Sequence, residues 1–126
     1  MNGKPVVLKN THLQTFAKKV GNWQSLLGLY DWEIDATWDT DPETKNEASC
    51  MYNVRSRRAT IYLSKYQDEN LSADDINKAA FHEMLHLLLA RLVLMAGSDH
   101  IDDFDIDEES HVIIARMTNL IFDREP

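Results

Sequence analysis

Cysteine, proline and glycine are all scarce, at one, three and four residues in a chain of 126. The single cysteine, Cys50, excludes an internal disulfide and a cysteine-rich zinc site. No internal repeat, low-complexity tract or second domain interrupts the chain, so residues 1–126 are expected to form one domain. Positive charge is also short. Thirteen Lys and Arg face 21 Asp and Glu, a net charge of −8. Such a surface repels phosphate, which argues against nucleic acid or an anionic membrane as the main partner. The stretch Met1–Leu8 lacks the long apolar core and small-residue cleavage site of a secretory signal, so an intracellular, cytoplasmic location is expected. The apolar share of 44% and charged share of 27% are those of a globular chain.

Hydrophobic periodicity divides the chain into helices and strands. Leu13, Phe16, Ala17, Val20, Leu27 and Tyr30 recur at helical spacing. Thr11 with Gln14 three residues on fits a capping box, which predicts a helix over about Thr11–Leu29 that ends at Gly28. The period then becomes two. Trp32, Ile34, Ala36 and Trp38 alternate with polar residues, as do Ala48, Cys50, Tyr52 and Val54, and Ala59, Ile61 and Leu63. Three half-buried strands follow, and their short connections predict an antiparallel meander. A polar loop over residues 39–46 and a basic turn at Arg55–Arg58 separate them. Ser72 with Asp75 marks the start of a long helix over Ala73–Ala96, stopped by Gly97. Its apolar run after Met84, broken by His86 and Arg91, reads as too short for a bilayer and as a mostly buried helix. An acidic connection, Ser98–Asp107, leads to a last helix over about Asp107–Asp123, with Ile113, Met117, Leu120 and Ile121 as its inner stripe.

Within the long helix stands His82-Glu83-Met84-Leu85-His86. At this composition an H-E-x-x-H sequence arises by chance roughly once in a hundred such chains. Residues four apart share a helix face, so His82 and His86 can point at one metal ion. Glu83, one residue's rotation away, can reach a water there without being a ligand. Two neutral imidazoles suit Zn2+. The surrounding Phe81, Met84, Leu85, Leu87, Leu88 and Leu89 make burial of unpartnered imidazoles costly, which a metal would relieve. The bland alternative is a pair of satisfied histidines beside a solvated glutamate.

A third donor must come from elsewhere. Leu89 and Leu92 stand where a metzincin-type pattern places its Gly and third His. Glu108 and Glu109 open the last helix. Glu109 lies four residues before Ile113 and so shares its inner face, whereas Glu108 points more than a quarter turn away. Helical phase therefore favours Glu109. Both are also ordinary acids for a helix's first turn. His111, nearly opposite Ile113 in phase, is a weaker candidate. For stabilising an oxyanion, Tyr52, Tyr62, His100 and His111 are possible and none is assigned.

A helix, an antiparallel sheet, an H-E-x-x-H helix and a following helix with an early glutamate resemble the gluzincin branch of zinc metallopeptidases. The likeness is greatest to its minimal, single-domain members in bacteria and their phages, and it spans Thr11–Phe122. The resemblance implies an α+β, zincin-like fold. His82, His86 and Glu109 would bind Zn2+, Glu83 would be the catalytic base, and the strand Ala59–Ser64 would be the sheet edge along the cleft. The expected function is a zinc-dependent peptidase acting on a peptide or protein, which could add as a strand to that edge. Larger relatives carry a substrate-gripping second lobe for which this chain has no residues. A zinc-stabilised protein-binding module without catalysis is the alternative, favoured if a side chain such as His111 or Glu108 closes the coordination sphere. A hydrolase of non-peptide amides is a third.

Other features read as structural. Asp103, Asp105 and Asp107 resemble the start of a calcium loop, but Glu108 stands where that loop needs Gly and Ile114 where it needs Glu. Arg55, Arg57 and Arg58 near Tyr52 and Tyr62 fit a hairpin turn better than a nucleic-acid patch. Cys50 falls in the apolar phase of its strand, as a small buried hydrophobe. Trp32 and Trp38 fit sheet packing.

Overall fold

A computed structural model describes residues 5–97 and 103–122. In chain order the elements are β1 (Val6–Val7), α1 (Asn10–Leu26), β2 (Glu33–Asp39), β3 (Ala48–Asn53), β4 (Arg58–Ser64), β5 (Tyr66–Gln67), α2 (Ala73–Ala96) and α3 (Asp103–Phe122). His100, the rest of the acidic connection over 98–102, the side chain of Ile121 and Asp123 lie outside what is described. The fold is mixed α+β.

The alternating residues do form strands, but the sheet is not an antiparallel meander. Its order is β2-β4-β3. β3 and β4 form the expected antiparallel hairpin, whereas β2 runs parallel to β4. The reason lies in the loop over 40–47, which steps past one strand instead of folding back on its neighbour. It is anchored across the end of β4: the Ser64 amide donates to the Glu47 carbonyl at 2.9 Å, and the Ser64 hydroxyl donates to the Asn46 carbonyl at 2.6 Å. β4 is therefore the central strand, not the edge expected of Ala59–Ser64. β3 and β2 are the edges.

Strand order changed while the facing of side chains did not. Register pairs Ile34 with Ala59, Ala36 with Ile61 and Trp38 with Leu63 on one side of β4. On the other, Ala48 pairs with Leu63, Cys50 with Ile61 and Tyr52 with Ala59. Cross-strand partners share a face, so all three apolar sets line one side of the sheet. Ile61 and Leu63 are wholly buried there beneath the helices, with Phe16, Leu27, Leu29 and Met84. β1 and β5 form a separate small antiparallel pair.

α1 starts earlier than Thr11. The Lys9 amide donates to Nδ1 of His12 at 2.9 Å, and Thr11 is already helical. Gly28, at φ +70°, turns the chain at the helix end and lets Leu27 and Leu29 both bury. α1 lies along α2 through Trp23, whose ring sits 4.5 Å from that of Phe81 and whose Nε1 donates to Oδ1 of Asn77 at 2.9 Å. α2 begins with the expected reciprocal cap: the Asp75 amide donates to the Ser72 hydroxyl at 3.1 Å, and the Ser72 amide donates to Asp75 at 2.9 Å. By length and composition α2 could cross a membrane, contrary to the estimate from its apolar run alone. Only 39% of that window is buried, with Leu89, Val93 and Leu94 exposed, so "mostly buried" holds for its N-terminal half. α3 begins at Asp103, not near Asp107. Asp103, Asp105 and Asp107 are thus helical, and a helix cannot wrap an ion as a calcium loop does. The Arg55–Arg58 segment forms the hairpin turn, with Arg57 paired to Asp31 at 2.8 Å and Arg58 to Glu33 at 2.9 Å.

Candidate metal centre

Helical phase sorts the H-E-x-x-H residues between core and cleft. The buried face of α2 carries Ile76, Ala79, Ala80, Glu83, Met84, Leu87, Leu88 and Ala90. Glu83 belongs to it at 6% exposure, whereas His82 and His86 stand at its exposed margin. The desolvation expected of the histidines therefore falls on the glutamate. Four residues turn a helix through about 40° beyond one full turn, which keeps the two imidazoles on one side. Their ring centroids are 5.1 Å apart and edge-on.

The Glu83 carboxylate has no hydrogen bond to another described side chain or backbone group. Oε2 lies 4.0 Å from Nε2 of His82, an ion-pair separation and not a hydrogen bond. Burial pushes its carboxyl above the ordinary carboxylate range, and the nearby His82 and His86 pull less strongly the other way. Across from it stands Cys50, whose thiol is pushed up to about 12, by burial first and then by the Glu83 charge. Cys50 is half-buried and faces the glutamate as well as the core.

These side chains line a cleft of about 600 Å³ between α2 and the edge strand β3. One wall is Lys78, Ala79, His82, Glu83 and His86; the other is Asn46–Cys50 and Tyr52. The edge beside the cleft is thus β3, in place of the strand Ala59–Ser64. Of the three described candidates for oxyanion stabilisation, Tyr52, Tyr62 and His111, Tyr52 alone is placed on this wall. Its ring meets Trp32 edge-on at 6.2 Å, and Trp32 is in turn covered by the Arg57 guanidinium at 5.7 Å. Tyr62 is on β4 and lines no part of the cleft, and His111 is exposed with its Nδ1 3.5 Å from Asp107.

The helical phase assigned to α3 is met: Glu109 is 8% exposed and Glu108 is at the surface. The Glu109 carboxylate, however, accepts from Nε of Arg91 at 3.0 Å. Among the described residues no three His, Cys, Asp or Glu side chains come together as a metal-binding group. The donors fit a divalent ion in part. The two imidazoles have the type and spacing of a zinc pair, and the third donor is engaged elsewhere. The contribution of Arg91 carries no signal in the sequence, where it reads only as a break in an apolar run. The facing of Cys50 towards Glu83 follows from strand phase only once β3 is known to be the edge over α2. Compared with known proteins, the chain matches no family model, and neither a curated protein nor a solved structure matches it.

Proposed function

We propose that the chain is a zincin-like, zinc-dependent peptidase that hydrolyses peptide bonds with Glu83 as general base. One observation carries this reading: a glutamate of 6% exposure, its carboxylate without a hydrogen bond among the described residues, opens into a cleft beside two exposed imidazoles one helical turn apart. His82 and His86 would hold the zinc, with Glu109 as the third donor once free of Arg91. A bound zinc supplies Lewis acidity for water and for the scissile carbonyl. Glu83 takes the proton from the attacking water and returns it to the departing amine. Its raised pKa suits both transfers, because a base closer to neutrality gives the proton back more readily. β3 offers an unpaired strand edge to an extended peptide. His111 and Glu108, which could close the coordination sphere of a structural site, are both on the exposed side of α3, and this disfavours the binding-module alternative.

The test is metal analysis of the purified chain together with a peptide-library cleavage assay. Glu83→Gln is expected to keep the zinc and to lose cleavage by about a hundredfold or more. Cleavage by that variant at the wild-type rate refutes the mechanism. Zinc content that His82→Ala leaves unchanged refutes the site.

A further inference from the structure

We propose that the cleft between α2 and β3 is a receptor for a cationic side chain, with the guanidinium or ammonium group of a peptide seated on the Glu83 carboxylate. This inference goes beyond the peptidase reading, because it needs the cleft and Glu83 but no metal.

Glu83 is 6% exposed, and its carboxylate bonds to no described group. Among the described residues, no side-chain oxygen or nitrogen is both sealed from solvent and unpartnered. The Glu83 oxygens therefore open into the cleft that the residue lines, where a ligand can reach them. An ionised carboxylate only accepts, so the partner it lacks is a donor. A positively charged donor adds Coulomb attraction in a place partly shielded from water.

The charges around the cleft favour a cation. Glu47 stands on the facing wall, and Lys78, the one Lys or Arg among the lining residues, is paired with Asp74 at 3.3 Å. The Cys50 thiol, pushed up to about 12, adds no charge. The chain as a whole carries −8, and such a field draws cations towards it. Ala48, Ala79 and Tyr52 supply apolar wall against which an aliphatic stem can lie. β3 is an edge strand of the described sheet, so its outer main-chain groups can hold the backbone that carries the cation. This favours a peptide over a free amine. A volume of about 600 Å³ is within the range of about 300–1,000 Å³ for ligand clefts.

An amide NMR titration of the full chain at neutral pH, with a chelator present, tests this. The probes are Nα-acetyl-arginine methylamide, its uncharged citrulline isostere, and propylguanidine, which is the side chain without a peptide backbone. The arginine probe should shift the amides of residues 46–52 and 78–86. It should bind at least about tenfold more tightly than the citrulline probe, the factor for one hydrogen bond to a charged group. Glu83→Gln should abolish that difference, and propylguanidine should bind more weakly than the arginine probe. Equal binding of the arginine and citrulline probes overturns the proposal. So does a preference for arginine that survives in Glu83→Gln, or shifts confined to surface acids outside the cleft. Propylguanidine binding as tightly as the arginine probe overturns the peptide as the source of the cation. If Glu83→Gln fails to fold by circular dichroism, the arginine–citrulline comparison in the wild type, read at the cleft amides, still decides. The chelator separates this test from the peptidase reading: loss of the cation site leaves zinc-dependent cleavage to its own assay, and absence of cleavage leaves the cation site standing.

Discussion

Glu83→Gln should make the metal-free protein more stable, and the size of the effect follows from where the carboxylate sits. The residue is 6% exposed and its side chain 8%. Nε2 of His82 is 4.0 Å from its Oε2, too far for a hydrogen bond. At neutral pH the fold thus carries a desolvated charge, which an amide of the same shape would remove while keeping the packing. A buried polar group without its partner costs about 1–3 kcal/mol. The carboxylate touches the cleft, where water meets part of its need, and the amide retains part of the penalty. A gain of about 1 kcal/mol is the resulting estimate, or about 3–5 °C in Tm for a domain of this length. The pH dependence has a definite sign. Burial raises the folded-state pKa above the ordinary 4.5. The stability held by the protonated form is therefore complete below about 4.5 and is lost as pH rises through the folded value. The gap between variant and wild type should be small at pH 4 and full at neutral pH. Thermal unfolding in the presence of a chelator, followed by circular dichroism from pH 4 to 8, measures it. A variant no more stable than wild type at pH 7, or a gap that does not narrow towards pH 4, refutes the reasoning.

Two further outcomes test the surroundings of the site. Cys50, its thiol pushed up to about 12, should react with iodoacetamide at pH 8 at least about a hundredfold more slowly than a free thiol; a rate near that of a small thiol would show that Cys50 does not face Glu83 from a buried position. Gly28→Ala should cost about 1 kcal/mol in a denaturant titration, because φ there is +70° while the nearest atoms, on the Arg116 side chain, leave 3.8 Å for a new Cβ; a neutral result would mean that α1 does not end in a left-handed turn.

The long helix was the most legible part of the fold, because three independent signals agree on it. Ser72–Asp75 fixes its start, Gly97 its end, and helical spacing its course between them. The strands were legible in facing and illegible in order. Period-two alternation records which side of a sheet a residue joins, and Ile34, Cys50 and Ile61 all lie on the side their pattern predicts. It contains nothing about which strand lies beside which. That depended on how the loop over 40–47 is anchored at Ser64, a tertiary contact of a polar residue that local pattern leaves unmarked. At Thr11 a plausible capping pair was displaced by His12 bonding the Lys9 amide, since an imidazole nitrogen accepts as well as a glutamine oxygen does.

At the candidate site, spacing along one helix was sufficient to place His82, Glu83 and His86 beside one cleft, and phase along another for the burial of Glu109. Neither could say what Glu109 would meet, because that depends on how two helices lie against each other. The same limit explains the misplaced desolvation argument. The apolar residues flanking His82 and His86 in sequence belong largely to the opposite arc of the helix, so proximity along the chain overstated the burial of the imidazoles. Glu83, one residue's rotation towards Leu87 and Ala80, took the buried position instead. That division gives a physical basis for the chemistry proposed. Exposed imidazoles are free to accept an ion from solvent, and a carboxylate kept partly out of water has a raised proton affinity suited to the base of a hydrolytic reaction. The arrangement carries a stability cost at neutral pH, because the fold keeps the Glu83 carboxylate largely out of water.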